Sequence, residues 1–151
     1  MTTFHGIELV SASVDESASF DEAARMLAES RIPAVAVLAR DKVVGLFTDE
    51  ELLLGLSPGY LEDLRHTAFL DTELPVLQER TQAVRAEPVR KHMRKPVTVE
   101  LDSGSLHCVE RFVHSDEAAI AVVDARERFV GMLSREEFAY ALLRKLSAPQ
   151  S

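Results

Sequence analysis

Residues 19–56 lie over residues 105–142 without a gap, at an offset of 86, and ten of the 38 aligned pairs are identical. The identities are Ser19/Ser105, Arg25/Arg111, Val37/Val123, Ala39/Ala125, Arg40/Arg126, Val44/Val130, Gly45/Gly131, Glu50/Glu136, Glu51/Glu137 and Leu56/Leu142. An internal repeat constrains a chain more than any composition does. Each copy is one supersecondary unit with an apolar face it cannot cover alone, so the copies must pack on one another.

Both copies have the same local pattern. In the first, Phe20, Ala23, Ala24, Leu27 and Ala28 recur at helical spacing behind Ser19, a helix-capping residue with Glu22 three positions on. Two short apolar runs follow, Ala34 to Leu38 and Val43 to Phe47, separated by the polar turn Ala39 to Lys42, as expected of a β-hairpin. Thr48-Asp49-Glu50-Glu51 then opens a second helix ahead of Leu52, Leu53, Leu54 and Leu56. The second copy predicts a helix over Ser105 to His114, strands at Ile120 to Val123 and Phe129 to Leu133, and a helix over Ser134 to Lys145. A short strand is expected before each first helix, at Leu9 to Val14 and Pro96 to Leu101, which makes the unit β-α-β-β-α.

A chain of 151 residues, 46% hydrophobic and 28% charged, has the makeup of an ordinary globular protein able to bury a core. Its formal net charge of -8 opposes the basic surface that a phosphate backbone demands, so no nucleic-acid partner is expected. The charge is unevenly spread. Residues 1–79 carry 5 basic and 15 acidic side chains, whereas residues 80–151 carry 12 and 10, with a basic stretch at Arg80, Arg85, Arg90, Lys91, Arg94 and Lys95. A lone Cys108 cannot form an intramolecular disulfide, no apolar run is long enough to span a bilayer, and no secretory leader is visible. These features lead us to expect a cytoplasmic protein without a membrane partner.

Two stretches of the second copy, MRKPVTVELDSGSL (Met93 to Leu106) and AVVDARERFVGMLSREEF (Ala121 to Phe138), carry a likeness to a known family. With its two in-register copies, the chain resembles a tandem pair of cystathionine-β-synthase (CBS) domains, also called a Bateman module. The resemblance implies an α+β fold with α/β-type packing, in which two β-α-β-β-α repeats are related by a pseudo-twofold axis. It implies a cleft between the repeats that holds an adenine nucleotide or related adenosyl ligand, and homodimers in which helices of two modules face each other.

The candidate ligand-binding residues follow from both lines of reasoning. After the repeated glycine, each copy offers a hydroxyl and a carboxylate three residues apart, Thr48 with Glu51 and Ser134 with Glu137. Beside a helix N-terminus the hydroxyl suits phosphate and the carboxylate suits ribose hydroxyls; the same pairs also satisfy a capping box with no ligand present. The family usually has Asp where both copies have Glu, and often Arg where Glu50 and Glu136 stand. Asp49 adds a third acid to the first copy, while Arg135 gives the second a cation, so the site expected to work draws on Ser134, Arg135 and the segment Arg90 to Lys95. The resemblance further points to Ile32, Val35, Ala118 and Ala121 as walls for a base, with a core role as the alternative. It points to Thr98 as a polar contact, whose counterpart is Ala12 or Ser13.

The five histidines show no metal-ligand spacing and no catalytic set is visible, so we expect no metal, no obligatory cofactor and no enzyme activity. We divide the chain into a first CBS domain (residues 1–57), a helical connecting segment (58–87), a second CBS domain (88–147) and a tail (148–151). Ser57-Pro58-Gly59 breaks the preceding helix, and Tyr60, Leu61, Leu64, Leu74, Leu77 and Val84 suggest helical pieces that brace the fold. The expected function is regulation in trans of a protein partner, with AMP, ADP, ATP or S-adenosylmethionine as ligand. The alternative is a dimerisation or interaction module with degenerate pockets.

Overall fold

The computed structural model describes residues 2–57, 79 and 82–149. Most of the connecting segment, with its expected helices, lies outside the described residues; within it, residues 82–85 are helical. The chain opens with a hairpin of β1 (Thr3–Phe4) and β2 (Ile7–Glu8), turning through His5 and Gly6 at φ of 49° and 82°. This hairpin is absent from our sequence reading, because two-residue strands are too short to show alternation.

The first repeat then runs β3 (Ser13–Asp15), α1 (Phe20–Ser30), β4 (Ala34–Ala39), β5 (Lys42–Thr48) and α2 (Asp49–Leu56). The second runs β6 (Thr98–Glu100), α3 (Ser105–Ser115), β7 (Ala119–Val123), β8 (Phe129–Ser134) and α4 (Arg135–Ser147), with a 3-10 turn at Val89–Lys91 ahead of it. Each repeat forms a three-stranded sheet in which the leading strand is parallel to the next and that strand is antiparallel to the third. The β-α-β-β-α order expected from the sequence is therefore the observed one, although the leading strands are shorter than expected.

One part of the sequence alignment needs correction. Helices α1 and α3 start at Phe20 and Ser105, an offset of 85, whereas the paired ends Ala34–Thr48 and Ala119–Ser134 move from 85 on the first hairpin strand to 86 on the second. The extra residue is in the turn of the second hairpin: four residues separate Leu38 from its partner Val43, and five separate Val123 from Phe129. Asp124 holds this longer turn by accepting hydrogen bonds from the backbone N–H of Arg126 and Arg128, each at 2.9 Å. Identities before the turn, such as Ser19/Ser105 and Val37/Val123, thus join non-equivalent positions. The cap equivalent to Ser19 is Gly104, which has no side chain to offer. In the corrected register the buried helix positions Ala23 and Leu27 match Cys108 and Phe112.

The two halves interlock through their leading segments. Val10 and Met132 exchange backbone hydrogen bonds of 3.1 and 2.7 Å, and Arg94 and Leu46 exchange bonds of 2.9 and 3.0 Å, so the segment before each repeat pairs with the hairpin of the other. These crossings explain the repeated glycine. A Cβ on Gly45 would stand 2.4 Å from Met93 Sδ, and one on Gly131 would stand 2.6 Å from Leu9 Cβ, closer than side chains can pack. Phe4, Ile7 and Leu9 sit in one cluster with Cys108, Phe112, Ile120 and Phe138 of the second repeat, so the N-terminal hairpin completes that core. The other cluster is built around Phe20 and Phe47, whose rings meet edge to face at 5.4 Å.

Candidate functional site

The crossings create two pseudo-equivalent clefts, each at the N-terminus of the helix that closes a repeat. The first lies at α2 and is lined by Thr48, Asp49, Glu50, Arg94 and Glu117, with Pro33 and Ala118 at its floor. The second lies at α4 and is lined by Val10, Ile32, Ser134, Arg135, Glu136 and Glu137, again with Pro33 and Ala118. Arg31 and Ser30 complete its wall.

In the first cleft every candidate group is already engaged. Thr48 Oγ1 accepts from the Glu50 N–H at 3.1 Å, while Glu51 Oε1 accepts from the Thr48 N–H at 3.0 Å and from the Thr48 hydroxyl. This is the capping box read from the sequence. The second Glu51 oxygen accepts from Arg94 Nε at 2.8 Å, Glu117 Oε1 accepts from Arg94 Nη1 at 2.6 Å, and Arg94 Nη2 meets Glu50. Glu51 and Glu117 are 6% and 7% exposed, so their charges would be costly without this guanidinium. Burial works against the Arg94 charge, yet hydrogen bonds to Glu51, Glu117 and Glu50 outweigh it and hold the guanidinium protonated far above any ordinary pH.

Arg94 therefore belongs to the first cleft. We expected the segment Arg90 to Lys95 to serve the second, and Arg94 instead turns its charge inward against three acids. Arg90 and Lys91 lie in the 3-10 turn, where the Arg90 N–H donates to Glu16 O at 3.2 Å, and neither lines the second cleft.

The second cleft is less committed. Ser134 Oγ accepts from the Glu137 N–H at 3.3 Å and so caps α4, but among the described residues no group bonds the Glu137 carboxylate. Arg135 reaches Asp116 at 3.4 Å across side chains that are 48% and 97% exposed, a contact that water and salt weaken. The cleft volume is about 450 Å³, within the range of small-molecule sites. Its back wall is apolar, from Val10 and Ile32, at the positions equivalent to Arg94 and Glu117 in the first cleft.

The remaining sequence candidates divide. Ile32 and Ala118, which come from different repeats, meet in the second cleft. Val35 and Ala121 are 0% exposed on the central strands and belong to the core, the alternative reading for those positions. Thr98 lies on β6 beside a separate depression with Lys42, His107 and Arg111. Sequence reasoning missed Val10, Arg31 and Glu117, because a cleft made by crossing segments shows in a linear pattern only once the pairing is known. Among the described residues no cluster of His, Cys, Asp and Glu is placed to hold a metal ion, and no helix is long and apolar enough to cross a membrane.

The geometry has counterparts in known proteins. The family model of the CBS domain matches residues 9–57 and again residues 89–144. A search of curated protein sequences finds no match. Among solved structures, CBSX2 in complex with AMP is similar at a TM-score of 0.62 and 21% identity, covering 89% of this chain and 88% of that one. A CBS domain-containing protein from Kribbella flavida is similar at 0.68 and 18%, covering 90% and 94%. A CBS domain pair/ACT domain protein from Thermotoga maritima is similar at 0.64 and 20%, covering 92% and 95%. Two matches that together span more than half of the chain, each coinciding with one structural repeat, place the protein in the CBS domain family as a tandem pair.

Proposed function

We propose that this chain is a regulatory module that binds one adenine nucleotide, or a related adenosyl ligand, in the cleft at the start of α4, and passes the change in its conformation to a protein partner in trans. The observation that carries this reading is the difference between the two clefts. The second combines an apolar wall of Val10 and Ile32, an exposed cation at Arg135, the Ser134 hydroxyl at a helix N-terminus and a Glu137 carboxylate that bonds to none of the described residues. These groups suit a base, a phosphate and a ribose in turn. CBSX2, which shares the fold, is a complex with AMP and supports the ligand class. Function as a homodimer fits the apolar side chains of Leu106, Val113, Leu143 and Leu146, which are 61% or more exposed on α3 and α4.

Isothermal titration with AMP, ATP and S-adenosylmethionine tests the reading. We expect saturable heat for at least one of them at a stoichiometry of one per chain, reduced in Ser134→Ala and in Arg135→Ala. The absence of heat for all three at millimolar ligand would remove it. An interaction module with degenerate pockets is the second reading, favoured by the pairing of Arg94 with Glu50, Glu51 and Glu117 in the first cleft; it predicts a stable protein complex whose affinity no nucleotide changes.

A further inference from the structure

The first cleft has the chemistry of a cation site, and its occupant is part of the chain. Glu51 and Glu117 are nearly buried and come from different repeats, Glu51 from α2 and Glu117 from the segment between α3 and β7. Their carboxylates and that of Glu50 converge on one guanidinium, with Nε to Glu51, Nη1 to Glu117 and Nη2 to Glu50, so each of its three nitrogens finds an acid. A planar fork suits this arrangement because it offers donors from three separate nitrogens, whereas an ammonium gathers its donors on one atom. Glu51 is also fixed from behind by the Thr48 N–H and hydroxyl, so the cradle is held in place by the helix cap rather than by Arg94 alone.

We propose that the first cleft is a guanidinium site filled by Arg94 as a tethered ligand, which ties the two repeats together. Arg94 is anchored for this role by its backbone, which exchanges two hydrogen bonds with Leu46 of the first hairpin. The side chain is 27% exposed, so the cradle opens to solvent on one side and a small cation can reach it once Arg94 is shortened. A tethered group acts at an effective concentration in the millimolar range, so a free guanidinium must be supplied at that level to replace it.

The test uses the full chain with Arg94→Ala and follows thermal unfolding in methylguanidinium at millimolar concentration. Tetramethylammonium at equal ionic strength and urea at equal concentration are the controls for charge without the fork and for shape without charge. No nucleotide enters the measurement, so its outcome is separate from that of the proposed nucleotide binding. We expect Arg94→Ala to melt several degrees below the wild type and methylguanidinium to restore part of the loss saturably, with no recovery in either control and no effect on the wild type. An unchanged melting temperature, or a loss that methylguanidinium does not recover, overturns the proposal. If Arg94→Ala does not fold, Arg94→Lys combined with Glu50→Gln is the second test: losses that are less than additive support the cradle, and additive losses overturn it.

Discussion

Val10 stands in the second cleft where Arg94 stands in the first, since Val10 pairs with Met132, Arg94 pairs with Leu46, and Met132 and Leu46 are equivalent positions of the two hairpins. One substitution should therefore transfer the character of one cleft to the other. In Val10→Arg the new guanidinium would meet Glu136 and Glu137 at the start of α4, with Ile32 in place of the buried Glu117. We expect nucleotide affinity to fall at least tenfold, about 1.4 kcal/mol or more. The melting temperature should change little, because Val10 is only half-buried and the arginine can lie against solvent. Calorimetric titration beside a thermal melt checks both parts, and unchanged nucleotide affinity would count against the second cleft as the site.

The crossing segments make a second prediction, about Gly45 and Gly131. A methyl group on Gly131 meets Leu9 Cβ at 2.6 Å and the backbone at Val10 O at 3.4 Å, whereas one on Gly45 meets Met93 Sδ at 2.4 Å, Cγ at 2.7 Å and Cβ at 2.9 Å. The Met93 Sδ and Cγ can turn away, leaving only its Cβ at 2.9 Å; Leu9 Cβ is closer, at 2.6 Å, and is fixed to the backbone beside Val10, which pairs with Met132. We expect Gly131→Ala to cost about 1–3 kcal/mol, the range for overpacking a core, and Gly45→Ala to cost less. Urea denaturation of the two variants would show the order, and an equal cost would mean that Leu9 gives way as readily as Met93.

The same crossings show what the sequence could and could not disclose. Helices, hairpins and the capping residues Ser19, Thr48 and Ser134 were legible, because each depends on contacts within about ten residues. The repeated glycine was visible as a pattern, but its cause was not, since Met93 and Leu9 come from segments far away in sequence. Alignment by identity hid the extra residue in the second hairpin turn. Shifted by one, that alignment pairs Ile32 with Ala118 and hides its true counterpart Glu117, whereas Val35 and Ala121, which the family likeness offers as walls, are core in either register. Arg94 was assigned by its basic neighbours, while its actual partners Glu50, Glu51 and Glu117 are gathered only by the fold.

Cys108 gives a probe of the second core. It is 0% exposed on α3, and burial pushes its thiol up to about 12. Far less of the thiol is then ionised at pH 7 than the few per cent of a free cysteine, and the thiolate is the reactive form. Alkylation by iodoacetamide should accordingly be very slow in the native protein and become rapid in urea, following unfolding. Fast stoichiometric labelling under native conditions would show that α3 opens locally, well before the global transition.

Asp124 sets a pH dependence whose sign can be worked out. Its carboxylate is held below the usual value chiefly by the backbone N–H of Arg128; desolvation opposes this, while the Arg126 N–H and the Arg128 side chain reinforce it. A folded-state value below the unfolded one means that the contribution is complete above the unfolded value of about 4 and is lost as pH falls through the lower folded value. Asp124→Asn should therefore be less stable than the wild type near neutral pH, with the gap closing in acid. The long turn is where this acts: Asp124 gathers the N–H groups of Arg126 and Arg128, whereas in the first hairpin Ala39 and Lys42 pair directly across Arg40 and Asp41. Melting curves of both proteins from pH 7 down to pH 3 measure the gap, and a gap that stays constant would mean that the carboxylate charge contributes nothing to the turn.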